Sequence, residues 1–226
     1  MDETLKLFFS RSFEIELNNK LLYRDYVLNQ CEVREYILKL LQIPFSVFIE
    51  YIIDNYNVSY LSAEDVLQFS DLKNATTNLC YVLRINNDEG YKVFEIGKFL
   101  ENDGKIRKKE AYIKYGENHA KTAESLGLVF NLSNVYFLSC LGYVINDLPE
   151  REQIQLIARI ILRNRLIQRL IYRTNMNAQC SYMKEVDFLK KSTALRRKSN
   201  VKKLIKIVSE LYPDFDCEYG SKIVFD

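Results

Sequence analysis

The residues nearest to catalytic chemistry are Asp88, Glu95 and Lys98. A Mg²⁺-dependent nuclease needs an aspartate followed by an E-x-K pair on a strand, where alternation points carboxylate and ammonium toward one metal-bound water. Here the spacing is E-x-x-K and the surrounding residues read as a helix, so the side chains do not converge. Glu218 and Lys222 are spaced worse. His119 is the only histidine, which leaves no basis for a Cys/His metal site, a catalytic triad or a two-histidine phosphodiesterase. Its ordinary role is a helix-face side chain that packs or contacts phosphate. No GxxxxGK[ST] or GxGxxG run is present, which argues against nucleotide-driven mechanisms. Cys31, Cys80, Cys140, Cys180 and Cys217 are odd in number and contain no CxxC pair. They read as buried thiols in a reducing cytosol. No catalytic residue, metal or cofactor is expected.

Neutralisation of a polyanion has a clearer footprint. The 226-residue chain has a formal net charge of only +2, yet residues 151–210 hold 15 Lys/Arg against 4 Asp/Glu, a local net of +11. Residues 1–70 hold 6 against 11, and residues 71–150 hold 10 against 11. A positive field confined to one quarter of the chain fits a nucleic-acid partner. An anionic membrane fits less well, because the flanking segments are acidic. Lys108, Lys109, Lys114, Asn118 and Lys121 lie on or beside one expected helix, where Asn118 suits adenine and the lysines suit phosphates. Arg196, Arg197, Lys198, Lys202 and Lys203 spread around a second helix, which suits phosphate positioning better than base reading.

The elements that carry these residues follow from apolar spacing. Val33, Tyr36, Ile37, Leu40 and Leu41 predict a helix stopped by Pro44. Another helix is expected over 45–55, with Phe48, Ile49, Ile52 and Ile53 inward. Residues 13–17 alternate like a strand. Ser62, with Asp65 three residues on, reads as a helix start. Helices are expected over 72–87, 91–100 and 107–126. The last has an inner face of Ala111, Tyr115, His119, Ala123 and Leu126, a bend near Gly116 and a cap at Gly127. Residues 128–130 and 135–138 predict a hairpin around Asn131-Leu132-Ser133-Asn134. One long helix over 149–172 follows, then a short one over 183–190. A basic helix runs from an N-cap at Thr193 to Leu211, with Leu195, Val201, Leu204, Ile205 and Val208 inward. Residues 222–225 read as an added strand.

Three helices and a hairpin make the order of a winged helix, whose third helix enters the major groove while the hairpin lies over the backbone. The run Tyr115-Gly116-Glu117-Asn118-His119-Ala120, closing on Leu126-Gly127-Leu128-Val129, resembles the recognition helix of the winged-helix module in bacterial restriction-type DNA-binding proteins. Tyr136-Phe137-Leu138-Ser139-Cys140-Leu141-Gly142 is similar to that family's second wing strand, Tyr-x-Leu-Thr-x-x-Gly, with Ser139 where Thr is usual. Ser192-Thr193-Ala194-Leu195-Arg196-Arg197-Lys198-Ser199-Asn200-Val201 is similar to its Ser-Thr-x-x-Arg-Arg-x-x-Thr-Val motif. Asn200 departs there from Thr, and the tryptophans that commonly follow are absent from a chain with none. The resemblance covers about residues 75–210.

The expected fold class is mainly α with short β-hairpins (α+β). It is a winged helix-turn-helix followed by a basic, helix-turn-helix-like region. The expected domains are a helical N-terminal domain over 1–72, a winged helix over 73–148 and a basic helical region over 149–226. The expected function is sequence-specific binding of double-stranded DNA in the cytoplasm, as the recognition component of a restriction-like defence system or as a transcriptional regulator. A nuclease or other protein subunit and a second copy of the chain are the further expected partners; a membrane is not. The alternatives are a metal-dependent restriction endonuclease with a diverged site, or a protein-interaction adaptor using a winged helix.

Overall fold

A computed structural model describes residues 3–10, 26–85, 90–101 and 106–226. Among these the chain is mainly helical, with one short antiparallel hairpin. In chain order the elements are α1 (Glu3–Phe9), α2 (Tyr26–Gln42), α3 (Phe45–Asp54), a 3-10 turn at Ala63–Asp65, α4 (Thr77–Ile85), α5 (Val93–Leu100) and α6 (Lys109–Ser125). The hairpin strands β1 (Val129–Leu132) and β2 (Val135–Leu138) follow, then α7 (Cys140–Ile145), α8 (Glu150–Ile161) and α9 (Arg165–Met176). The chain continues through β3 (Cys180–Ser181), α10 (Tyr182–Glu185), α11 (Lys191–Leu211), α12 (Pro213–Glu218), a 3-10 turn at Gly220–Lys222 and β4 (Ile223–Val224). No helix among the described residues is long and apolar enough to cross a membrane. The strand expected over 13–17 lies outside the described residues.

Two compact units make up the chain, and each is discontinuous in sequence. The first takes Met1–Leu40 with Gln68–Ile154; the second takes Leu41–Leu67 with Gln155–Asp226. These boundaries differ from the expected 1–72, 73–148 and 149–226, because the N-terminal third contributes to both units.

In the first unit the core gathers Leu5, Phe8, Ile37, Leu79, Ile96, Ala120, Ala123, Leu126 and Leu141, all nearly inaccessible to solvent. α6 ends in a Schellman arrangement: the Leu128 N–H donates to the Ala123 carbonyl and the Gly127 N–H to the Glu124 carbonyl. Gly127 takes φ +74°, which a side chain resists and glycine permits. The hairpin tip places both Ser133 and Asn134 at positive φ, as a two-residue type I′ turn requires. The Asn131 side chain accepts from the Asn134 N–H at 3.0 Å. Tyr91, just before α5, pairs antiparallel with Tyr136 of β2.

α6 runs unbroken through Gly116, and the missing side chain lets α5 and α6 touch backbone to backbone. A Cβ there would lie 1.9 Å from the Val93 carbonyl oxygen, and one at Gly97 would lie 1.9 Å from that of Tyr112. The inner face of α6 is also rotated from expectation: His119, Ala123 and Leu126 are buried but Ala111 is exposed. α4 starts at Thr77 rather than near residue 72, because Asp71 and Leu72 engage the backbone and side chains of Asn74 and Thr76 in turns.

The expected long helix over 149–172 is two helices. The amide N–H groups of Leu162, Arg163 and Asn164 bond three residues back, tightening the end of α8. The Asn164 side chain then accepts from the Ile167 N–H and caps α9. In the second unit, α10 is one turn at Tyr182–Glu185 rather than a helix over 183–190. α11 begins at Lys191, so Thr193 lies inside it instead of capping it. Leu195 faces solvent, and Ala194 takes the inward place expected for it. β4 pairs in parallel with β3, Cys180 opposite Ile223, so the tail does add a short strand. Cys80 and Cys180 are buried thiols, the latter pushed up to about 11 by burial, while Cys217 is exposed.

Candidate nucleic-acid interface

Residues 68–74 hold one flank of α6 through three polar links at helical spacing. The Asn74 amide donates to the Tyr115 hydroxyl at 3.0 Å, and the Thr122 hydroxyl donates to the Gln68 carbonyl at 3.0 Å. Between them lies His119, only 1 % exposed. Its Nδ1 is 2.8 Å from the Tyr115 carbonyl, so Nδ1 carries the proton, and Nε2 accepts from the Ser70 hydroxyl at 3.2 Å. Burial lowers its pKa, opposed by the Tyr115 carbonyl bond and by Asp71.

A pH dependence follows. With the native pKa below the unfolded value of about 6.5, the neutral imidazole stabilises the fold fully above that value. The contribution is lost as the pH falls through it toward the lower native pKa. The urea midpoint is therefore expected to fall between pH 7.5 and 5.5, and His119→Gln is expected to flatten that fall. An unchanged slope in the variant would assign the acid sensitivity elsewhere.

With one side of α6 packed and one flank tied, the remaining arc faces solvent. Ala111, Lys114, Lys121 and Ser125 are exposed on it and Asn118 is half-exposed. Lys114, Asn118 and Lys121 thus share one stripe, spaced i, i+4, i+7. The Lys121 ammonium lies 2.6 Å from a Glu117 carboxylate oxygen, which raises its pKa and keeps it charged. Lys108 stands at the N-cap of α6, and Lys109 lies over the Phe94 ring at 5.6 Å. At the hairpin tip Leu132, Ser133 and Asn134 are exposed.

Of the nuclease-like trio, Glu95 and Lys98 lie among the described residues. The Glu95 carboxylate accepts from the Lys92 N–H at 2.8 Å and caps α5. Lys98 is exposed on the same helix, and Asp88 lies outside the described residues.

The second unit sorts its cations by type. Arg159 donates to the carbonyls of Gln155, Leu41 and Ile43 and to the Tyr212 hydroxyl. Arg165 donates to the Tyr60 carbonyl, and Arg169 to the Val58 carbonyl and the Tyr56 hydroxyl. Arg197 donates to the carbonyls of Ala63 and Val66. Four guanidinium groups therefore satisfy backbone carbonyls on either side of α3, at residues 41 and 43 before it and at 58–66 after it. Of these four, only Arg197 is among the candidates read from sequence, although all four count toward the positive charge of residues 151–210. The available signal was Arg159 in the apolar run Leu156-Ile157-Ala158-Arg159-Ile160-Ile161.

Of the five candidates on α11, Arg197 lies on the inward arc with the contacts just given. Arg196, Lys202 and Lys203 are exposed on the outward arc, and Lys206 joins them. Lys198 stands at its edge, its ammonium 3.5 Å from the Asp226 carbonyl oxygen. No family model, curated protein or solved structure matches the chain.

Proposed function

We propose that the chain is a sequence-specific double-stranded DNA-binding protein, acting as the recognition component of a restriction-like defence system or as a transcriptional regulator. The outward stripe of α6 carries this reading: Lys114, Asn118 and Lys121 lie together on the arc of the helix that is neither packed nor tied. The order α4, α5, α6, β1, β2, with Tyr91 bridging to β2, supports a winged helix in which α6 is the recognition helix. In that role α6 lies in the major groove and the hairpin tip follows the neighbouring backbone. Asn118 offers the paired donor and acceptor that match adenine N7 and N6. Lys114 and Lys121 hold phosphates on either side, with Lys108 and Lys109 near the start of the helix.

Selection from a randomised duplex pool tests the reading, followed by titration of the selected site. Asn118→Ala is expected to lose about 1–3 kcal/mol of discrimination at one base pair. Lys114→Gln is expected to weaken selected and scrambled duplexes alike. Full discrimination by the first variant together with unchanged affinity in the second would remove α6 from the interface.

A further inference from the structure

We infer that the second unit carries its own nucleic-acid surface, in which the outward arc of α11 grips the phosphate backbone of double-stranded DNA without reading bases. This rests on the reading of the chain as a DNA-binding protein and adds to it a sequence-blind grip.

Arg196, Lys202 and Lys206 stand on that arc, all exposed, with Ser192 and Ser199 between and before them. From Arg196 to Lys206 the row runs about 15 Å along the helix, roughly four base-pair steps of duplex. Lys206 pairs with Glu210 at 3.4 Å, but both are exposed, and such a pair is weak enough for a phosphate to displace.

What the helix lacks selects the partner. Ala194, Val201, Leu204, Ile205 and Val208 are buried in the unit and Leu195 is the one large apolar side chain exposed on the helix, so it has no broad apolar face to sink into a lipid interface. No aromatic residue occurs in Lys191–Leu211, so the face cannot stack unpaired bases as single-strand binders do. Its one amide side chain, Asn200, is buried and donates to the Leu67 carbonyl at 3.4 Å, so it does not reach a base edge.

The sorting of cations points the same way. Arginine's planar fork suits fixed carbonyl geometry, and in this unit Arg159, Arg165, Arg169 and Arg197 are used on backbone carbonyls. The outward arc is left mainly to lysine, a rotatable point charge that holds phosphates without demanding a sequence.

The test uses the full chain and duplexes of selected and scrambled sequence, titrated across salt concentrations. The triple variant Arg196→Gln, Lys202→Gln, Lys206→Gln is expected to reduce the slope of log K against log salt by about 0.9 for each phosphate no longer neutralised, up to about 2.7. Affinity should fall by the same factor for both duplexes, and the circular dichroism and urea midpoint should not move. Should the triple variant fold poorly, Lys202→Gln alone is expected to remove about 0.9 of slope. An unchanged slope overturns the inference, as does a loss confined to anionic vesicles with duplex binding intact. A wild-type chain with no sequence preference but a slope that falls in the variant would sink the α6 reading and leave this one standing.

Discussion

Gly116→Ala is expected to destabilise the first unit by about 3 kcal/mol, read as a lowered urea midpoint. On propensity alone the change should help, since alanine in a helix interior is favoured over glycine by about 1 kcal/mol. The opposite sign is expected because a Cβ at Gly116 would stand 1.9 Å from the Val93 carbonyl oxygen and 2.7 Å from the Gly97 nitrogen. Both obstacles are backbone, so no side-chain rotation relieves them. α5 and α6 must separate by more than an ångström, and the core in which Ile96 is fully buried loosens with them. Ala111, exposed on the same helix, supplies the control: Ala111→Gly should cost only the propensity term of about 1 kcal/mol. If Gly116→Ala raises the midpoint, the two helices do not touch through their glycines. On the proposed reading of α6 as a recognition helix, the variant is also expected to weaken duplex binding, because the separation shifts the stripe of Lys114, Asn118 and Lys121.

The same residue shows what the sequence made legible. Glycine is a poor helix former, and local rules read Gly116 as a bend; its use as a contact is set by Gly97, nineteen residues earlier, which no local pattern reports. The hairpin was readable because aromatic and β-branched runs flank an Asn-Leu-Ser-Asn tip that tolerates positive φ. The stripe on α6 was readable because residues at i, i+4 and i+7 share a helix face whatever the fold around them. The division between α8 and α9 was obscured because apolar periodicity runs on through Leu162 and Leu166, while the capping signal is the single residue Asn164.

Motif residues gained physical meaning instead of a functional role. Buried Ser139 donates to the Gly127 carbonyl at 2.7 Å and accepts from the Gly142 N–H at 3.0 Å. A Cβ at Gly142 would lie 2.1 Å from the Leu128 carbonyl oxygen. A hydroxyl at 139 and a glycine at 142 are thus what joins the end of α6 to α7, and threonine carries the same hydroxyl as serine. The formal charge of residues 151–210 is a coarser signal, since a count of charges does not tell those that donate to carbonyls, such as Arg159 and Arg197, from those left exposed.

Arg159→Ala is expected to be the most damaging single change in the second unit, at about 4 kcal/mol. Arg159 is only 3 % exposed, and among the described residues no carboxylate pairs with its guanidinium. Its support is neutral: three carbonyl oxygens, the Tyr212 hydroxyl at 2.7 Å, and the faces of Phe48 and Tyr212 at 5.2 and 5.8 Å. Burial lowers its pKa, with Tyr212 opposing the shift, and arginine's ordinary value is high enough that it stays charged. Replacing a buried ion pair by apolar residues is often harmless, because both charges leave together. Here the partners are the backbone carbonyls of Leu41 and Ile43, at the end of α2 and in the turn before Pro44, and no side-chain change removes them. Arg159→Met, which fills much of the space, is therefore expected to remain destabilising by at least about 2 kcal/mol. Arg159→Lys should fall between the two, since one ammonium cannot span carbonyls that the two guanidinium nitrogens reach at 3.1–3.2 Å. Urea unfolding of the three variants gives the order. A methionine variant as stable as the parent would mean that water or neighbouring groups satisfy those carbonyls, and that the arginine does not hold residues 41–43 in place.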